Sequence, residues 1–330
     1  MDRRTIIAFA MMAGALLLYS SLFPNKPQAP SVRPAPAVSE TVTTQPVPRL
    51  GASPEAAASG ASGRPDRRVF GTARAGEGAE PQVFDLPDYR AVVDPVGARI
   101  TSWVLKRYTN AAEQPADMVS SAGIGLLEAE ILTGGQELDL SRTAFEAIAH
   151  PAGTPQGLTL TSRDTTGASV RLDYEFPGGG SYSARLRILV SGAAGENQAS
   201  FLRLAFPQGV AHLERDPKLD RMAAAGVALI GTRTLKHAFG GKQGFGFGSG
   251  GGDKGWSEDA EGVVHWAGVR SKYFLAAIMP RSAETGQPGV DGRVGIRKGA
   301  GDGYIRTEVL LPLNLSGPTE YVVEDRKSVV

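Results

Sequence analysis

Short runs in which apolar and polar residues alternate begin after Val69 and continue through most of the chain. The clearest run is Arg171–Phe176, and the turn residues Pro177–Gly180 follow it directly. Beyond the turn the alternation resumes, with apolar residues at every second position and arginines between them (Arg185, Leu186, Arg187, Ile188 and Val190). A period of two is typical of strands with one buried face and one face in water. The stretch 157–190 therefore predicts a β-hairpin.

Similar alternation predicts further strands along the chain: Tyr89–Val93, Ile100–Leu105, Phe201–Phe206, Val227–Ile230, Val263–Val269, Tyr273–Ile278 and Tyr304–Leu311. Helical periodicity is short, and its best candidate is Ile124–Leu132. Many short strands separated by glycine-rich turns are typical of an antiparallel β-sandwich. In all-β folds a stretch of about 255 residues can form one domain. We therefore predict one all-β domain over 68–324.

An uncharged apolar segment, Thr5–Phe23, lies near the N-terminus. A helix of about 19 residues is long enough to cross the hydrocarbon core of a bilayer. Arg3 and Arg4 precede it, so the positive-inside rule keeps residues 1–4 in the cytoplasm and exports the rest. A cleaved signal peptide is the alternative, but its apolar region is usually shorter and ends at a small-residue cleavage site. The pattern favours an uncleaved membrane anchor at 5–23.

Residues 24–67 are rich in proline, alanine, serine and threonine and contain few large apolar side chains. Such a segment buries too little apolar surface to offset the entropy lost on ordering. Its prolines also interrupt helices and favour extended conformations. We predict a disordered linker over 24–67 that tethers the β domain to the membrane anchor.

The composition excludes several classes of function. Lys and Arg number 35 and Asp and Glu 34, a net charge of +1, which provides no basic surface for nucleic acid. The chain has no cysteine, which excludes disulfides, thiolate metal sites and a cysteine nucleophile. Its four histidines are scattered without the spacing of metal ligands. We expect no metal and no cofactor.

Two local patterns resemble functional motifs but do not meet the requirements of those motifs. Gly246–Gly251 formally matches the dinucleotide fingerprint G-x-G-x-x-G, but that motif needs a strand before it and a helix after it, whereas the surroundings here are β. We interpret the glycine tract Gly240–Gly255 as a surface loop. His212 and Glu214 are two residues apart, so one strand face could present both for acid–base work, as in a sugar-epimerising enzyme. Unrelated surface residues explain this pair better.

Aromatic residues in strands usually belong to the core rather than to a ligand platform. Four of them are conspicuous: Trp103, Trp266, Tyr273 and Phe274. We therefore expect all four side chains to be buried.

Two stretches resemble bacterial YidC-type membrane protein insertases. The first family segment, Tyr89–Tyr108, contains a glycine turn and ends in L-x-x-Y, and the second family segment, Gly262–Pro280, reads G-x-V-x-W followed by K-Y-F and a proline. The apolar first helix and the proline-rich linker strengthen this resemblance. We expect the signature positions to be structural: Gly97, Leu105, Tyr108, Gly262, Trp266, Lys272, Tyr273, Phe274 and Pro280.

The resemblance implies a periplasmic β-super-sandwich, related in fold to galactose mutarotase, at the bacterial inner membrane. It implies partners as well: the lipid bilayer, the Sec translocon and nascent membrane proteins. In the family the insertase chemistry resides in five later membrane helices, which this sequence lacks. We therefore expect a non-enzymatic docking or chaperone module without catalytic residues. A membrane-tethered carbohydrate-binding or mutarotase-like enzyme is the alternative.

The residues Asp325–Val330 correspond codon by codon to GATCGGAAGAGCGTCGTG, a common sequencing-adapter string. A natural polar tail would have to match this string at every one of these positions. We expect residues 325–330 to be translated adapter and the native sequence to continue differently after Glu324.

Overall fold

The computed structural model describes residues 66–71, 80–120, 123–133, 136–150, 155–165, 167–180, 182–192, 200–239, 255–282, 285–299, 303–313 and 319–329. All of these belong to one compact unit, residues 52–330. The predicted anchor at 5–23, with Arg3 and Arg4, and nearly all of the predicted linker lie outside the described residues. Within the described ranges, no helix is both long and apolar enough to cross a membrane.

Apart from one short helix, the regular secondary structure of the described residues is all β-strand, which confirms the predicted all-β class. The strands are β1 (Asp66–Val69), β2 (Gln82–Asp85), β3 (Tyr89–Asp94), β4 (Arg99–Thr109), β5 (Pro115–Asp117), β6 (Glu128–Thr133), β7 (Gln136–Asp139), β8 (Glu146–His150), β9 (Gln156–Arg163), β10 (Ser169–Phe176), β11 (Ser183–Ser191), β12 (Ser200–Phe206), β13 (Ala225–Ile230), β14 (Arg233–Ala238), β15 (Trp256–Arg270), β16 (Phe274–Ser282), β17 (Val290–Lys298), β18 (Arg306–Leu313) and β19 (Thr319–Val329). One short helix, α1 (Pro217–Ala223), lies between β12 and β13.

The strands form a large and a small sheet. The large sheet has the order β1-β7-β6-β12-β18-β17-β15-β16-β19-β11-β10-β9-β8, and the hairpin β13–β14 joins it at β15. The small sheet has the order β2-β3-β4-β5. The pairing of β1 with β7 is parallel. The other described strand pairings are antiparallel, as the alternating pattern predicts.

The hairpin predicted within 157–190 is confirmed in β10 and β11, whereas residues 157–163 belong to a third strand, β9, which pairs with β10. Tyr174 pairs with Leu186 and Leu172 pairs with Ile188, so the buried residues of both strands lie on one face. Gly179 and Gly180 in the connecting turn have φ of 79° and 87°, a backbone conformation that glycine adopts without steric cost.

The small sheet packs on the β9–β11 end of the large sheet through aromatic side chains. Phe84 of the small sheet stacks on Phe176 of β10, with ring centroids 4.3 Å apart. Trp103 and Tyr89 are fully buried and stack at 4.5 Å. The hydroxyl of Tyr89 donates to the carbonyl oxygen of Ser183 at 3.1 Å, which satisfies the polar end of a buried ring.

The structure corrects two predictions of secondary structure. The predicted helix at Ile124–Leu132 is wrong, because Glu128–Thr133 forms β6 between β7 and β12, with Ile131 facing the core. The pattern did not reveal α1, which has only seven residues. Asp216 caps this helix, accepting from the backbone N–H of Lys218 at 2.9 Å, as an N-terminal cap does.

Strands lie at both ends of the predicted domain, 68–324, whose bounds stay a prediction. β1 begins at Asp66, two residues before the predicted start at 68. β19 runs through Val329 and pairs with β11 and β16, so it includes residues 325–329. The adapter origin of these residues stays a prediction.

Candidate functional site

The two family segments meet in the folded domain. The first forms β3, β4 and the turn between them, and the second forms β15, β16 and their connection. Tyr108 of the first segment packs edge-on against Phe274 of the second, with centroids 5.9 Å apart and an interplanar angle of 88°. Residues that are more than 150 positions apart therefore share one aromatic contact.

The signature residues Gly97 and Leu105 of the first family segment are buried. Gly97 occupies the turn with a φ of 82°. A Cβ at Gly97 would overlap the carbonyl oxygen of Ser141, so the turn requires a residue without a side chain. This environment explains why a glycine is needed at position 97.

The second family segment divides between core and surface. Phe274 and Pro280 are buried, and Gly262 has a φ of 142° within β15. The expectation of four buried aromatic residues holds for Trp103 and Phe274 and is wrong for the other two. Trp266 is half-buried and Tyr273 is exposed. Tyr273 lies in the turn before β16, outside the strand that the sequence pattern assigned to it.

Lys272, the neighbour of Tyr273 in that turn, is exposed as well. Its Nζ atom lies 4.6 Å from the centroid of the Tyr273 ring, a cation–π distance. The hydrogen bond with Tyr273 raises the pKa of Lys272, and the nearby carboxylates Glu214 and Asp220 act in the same direction. The ammonium group therefore keeps its positive charge over the whole physiological range.

His212 and Glu214 do not have the geometry that a shared strand would give them. His212 and Glu214 lie in an irregular segment before α1, so they do not share a strand face. The carboxylate nearest to His212 belongs to Asp220, whose Oδ2 lies 3.7 Å from Nδ1. Asp220 is buried and accepts a hydrogen bond from the backbone N–H of Leu213 at 2.8 Å. These contacts hold α1 against the preceding segment.

The other three histidines lie apart from one another. His150 on β8 is 3.3 Å from the Thr159 hydroxyl, and His237 on β14 contacts the carboxylate of Glu258. His265 is half-buried in β15. Within the described residues, no three histidine or acidic side chains gather where they could hold a metal ion.

The glycine tract is flanked by strands on both sides. β14 precedes it and pairs with β13 in an antiparallel hairpin, and β15 follows it. A dinucleotide-binding turn requires a parallel strand and a following helix, so the flanking elements do not fit that motif. The tract between residues 240 and 254 lies outside the described residues.

Charged side chains cluster on one face of five neighbouring strands of the large sheet, β7, β6, β12, β18 and β17, opposite the face that fills the core. Arg203 of β12 lies at the centre, with Nη1 2.7 Å from Glu130 Oε2 on β6 and 3.5 Å from Glu137 Oε1 on β7. Its Nε lies 3.8 Å from Glu308 Oε2 on β18. Burial opposes the charged form of Arg203, but Glu308 and Glu130 outweigh it and raise the pKa of the guanidinium.

Two further arginines extend this charged face across the sheet. Arg297 and Arg306 each lie 3.2 Å from an oxygen of Glu308, which is nearly completely buried. Arg306 also lies 3.2 Å from Glu128, whose pKa is raised by burial although the guanidinium opposes that shift. A buried carboxylate is stable in ionised form only when such partners compensate its lost hydration.

A groove of about 280 Å³ opens at one end of the charged face. Its walls include Glu128, Arg297, Tyr304 and Arg306. The arginines are engaged by carboxylates, so the groove offers a balanced polar lining rather than a free cation for an anionic ligand. Sequence reasoning missed this surface, because each charged residue looks like an ordinary solvent-facing position of its own strand.

Solved structures with a similar fold include two proteins described as related to galactose mutarotase. A galactose mutarotase related enzyme from Lactobacillus acidophilus covers 76% of this chain and 97% of its own, with 10% identity and a TM-score of 0.45. A galactose mutarotase-like protein from Lactobacillus casei covers 76% and 100%, with 11% identity and a TM-score of 0.42. At this level of similarity we draw no functional argument from them.

Sequence relatives are more informative. The membrane protein insertase YidC of Chlorobaculum tepidum is 26% identical over 298 residues, which cover 87% of this chain and 47% of that protein. The YidC of Chlorobium limicola is also 26% identical and covers 100% of this chain and 53% of its own length. This chain thus spans about half the length of the relatives that it matches. The family model of the YidC periplasmic domain matches residues 83–310, and the chain belongs to that family.

Proposed function

We propose that this chain is the periplasmic part of an inner-membrane protein insertase and acts as a docking or chaperone module without enzymatic activity. The observation that carries the proposal is the family match over residues 83–310, which spans strands of both sheets. In this proposal, nascent membrane proteins and the Sec translocon are partners, and the insertase step itself belongs to a part of the protein outside this chain.

The proposed topology follows from the sequence. Residues 5–23 anchor the chain, Arg3 and Arg4 stay in the cytoplasm, and the linker 24–67 holds the domain 68–324 in the periplasm. The family match supports this arrangement, since its description is that of a periplasmic domain. Continuation of the native protein after Glu324 belongs to the same proposal.

Two features of the structure support a non-enzymatic role. The nearly buried carboxylates of the charged face, Glu130 and Glu308, are engaged by arginines, as in structural ion pairs. His212 faces Asp220, a buried residue that receives a backbone hydrogen bond. The pair His212 and Glu214 is therefore a poor candidate for the acid and base of a sugar-epimerising enzyme.

The test uses cells depleted of their own insertase. They receive this chain joined to the remaining part of the Chlorobaculum tepidum protein, and growth and membrane insertion of a client are measured. We expect the double variant His212→Ala with Glu214→Ala to support growth like the parent chimera. We also expect the purified chain not to accelerate glucose or galactose anomerisation above buffer.

Two outcomes would contradict the proposal. Failure of the parent chimera to restore growth, despite normal accumulation in the membrane, would argue against the insertase assignment. Mutarotation that disappears in a folded His212→Ala variant would instead favour the carbohydrate-processing alternative. Circular dichroism of each purified variant serves as the folding control.

A further inference from the structure

Helix α1 is amphipathic in the opposite sense to an ordinary surface helix, because its buried side is charged and its exposed side is apolar. Its buried residue is Asp220, whereas Leu219 and Met222 are each 58% exposed. Residues three apart lie side by side on a helix, so these two apolar side chains form one outward face. A helix on a soluble domain usually turns its apolar side inward and its charged side to water.

Specific contacts hold α1 in this orientation. Asp220 accepts from the N–H of Leu213 at 2.8 Å, and its other oxygen lies 3.5 Å from the backbone nitrogen of Lys272. The carboxylate thus joins α1 to the turn before β16. Asp216 caps the first turn through the N–H groups of Lys218 and Leu219. Since both carboxylates are engaged with backbone groups, the apolar face is fixed outward by the fold.

Tyr273 is a third exposed apolar side chain, at 40% exposure, and it follows Lys272, whose backbone nitrogen contacts Asp220 of α1. We call this surface the α1 patch and define it by Lys218, Leu219, Arg221, Met222, Lys272 and Tyr273. Four basic residues lie in or beside it, since Arg215 precedes the helix. The acidic residues of the same stretch are Glu214, Asp216 and the buried Asp220, one fewer than the basic residues. The patch therefore combines apolar side chains with an excess of positive charge.

The position of the patch in the fold adds a further constraint. Strand β19 runs antiparallel to β16, and Glu324, the last residue that we expect to be native, pairs with Met279. From there the strand direction leads toward Phe274, the residue that follows Tyr273. A native segment that continued in this direction, including the membrane helices that we propose for the whole protein, would leave the domain on the side of the α1 patch.

We propose that the α1 patch docks on the surface of a lipid bilayer that carries anionic headgroups. In this arrangement Leu219 and Met222 enter the boundary between headgroups and acyl chains, and Tyr273 lies at the level of the headgroups. Lys218, Arg221 and Lys272 extend toward lipid phosphates, whose negative charge attracts basic side chains near the membrane surface. The inference rests on the membrane placement in the proposed function.

A lipid surface fits the patch better than a protein partner. A stable protein interface covers about 800 Å² on each partner, far more than three apolar side chains supply. A weak membrane contact is sufficient here, because a tethered domain meets the bilayer at a high effective concentration. Long basic side chains around a small apolar centre are typical of segments that lie in the membrane interface.

The test exploits the lack of cysteine in this chain. A single cysteine is introduced by Met222→Cys, labelled with a nitroxide, and the full chain is reconstituted in nanodiscs with about 30% phosphatidylglycerol, a composition chosen to supply anionic headgroups. Collision rates with oxygen, which enters the bilayer, and with a water-soluble nickel chelate are measured by electron paramagnetic resonance. The matched control is Ile148→Cys on β8, which is 61% exposed and lies in the edge strand of the sheet.

We expect the label at 222 to collide with the nickel chelate at least about threefold less often than the label at 148, as burial in the interface requires. Lys218→Glu with Arg221→Glu should abolish this protection. Lys236→Glu, an exposed charge change on β14, should leave it intact. Protection should also weaken in nanodiscs of phosphatidylcholine alone.

Equal collision rates at 222 and 148 in anionic nanodiscs would overturn the proposal. So would protection that appears only after purified Sec translocon is added, since that result would assign the patch to a protein. A chain that does not incorporate into nanodiscs would argue against the anchor, and thus against the proposed function. The same labelled chain mixed with phosphatidylglycerol vesicles would then still measure docking.

Discussion

The two family segments use their aromatic residues in opposite ways. In the first, Trp103 and Tyr89 are fully buried and stacked beneath the small sheet. In the second, Phe274 is buried, Trp266 is half-buried and Tyr273 reaches the surface. One family resemblance therefore combines two kinds of structural constraint. The first segment is constrained by core packing, and the second also presents a turn to solvent.

The two tryptophans provide the strongest test of this comparison. Trp103→Ala should lower the free energy of unfolding by about 3–5 kcal/mol, because it removes a fully buried indole and leaves a cavity. Trp266→Ala should cost clearly less, about 1–2 kcal/mol, because solvent already reaches part of its ring. Urea denaturation of the full chain, followed by circular dichroism, measures both. Equal losses would contradict the division between the segments.

The turn of the first segment allows a sharper comparison with a matched glycine. Gly97→Ala should cost about 2–4 kcal/mol, because the new Cβ meets positive φ and the Ser141 carbonyl together. Gly179→Ala has a similar φ but nothing within 4 Å of the new Cβ, so it should cost only about 1 kcal/mol. Thermal and urea unfolding of both variants give the difference. If the two losses agree, close packing at Gly97 is not the constraint.

The smallest expected effect is at Tyr273. Tyr273→Ser should change the free energy of unfolding by less than about 0.5 kcal/mol, as expected for a surface position. Its buried neighbour serves as the control, and Phe274→Ala should cost about 3–5 kcal/mol. A loss above about 2 kcal/mol for Tyr273→Ser would show that this ring belongs to the core after all.

Sequence patterns predicted the strands best where apolar and polar residues alternate without interruption. β10 and β11 are examples, since each residue's face follows from its position in the run. The pattern failed at β6, where Leu126 and Leu127 imitate helical spacing just before the strand. Pairing with β12, about 70 residues further on, decides that this segment is a strand. Local periodicity contains no information about such a distant partner.

The charged face and the α1 patch were harder to predict from the sequence than the strands. The charged face depends on the register that places Arg203 opposite Glu130 and beside β18. The α1 patch depends on the burial of an aspartate, the reverse of what residue type suggests for that position. Both surfaces arise from contacts between segments that are distant in the sequence.

The β class of this protein, its glycine turns and the resemblance of its two family segments follow from the residue pattern alone. These features depend on local backbone preferences and on alternation along single strands, which neighbouring residues suffice to specify. The burial of individual aromatic residues, the pairing of carboxylates with arginines and the orientation of α1 follow instead from contacts in the folded domain. Burial and ion pairing are properties of contacts between distant segments, and their free energies depend on water excluded by the whole fold.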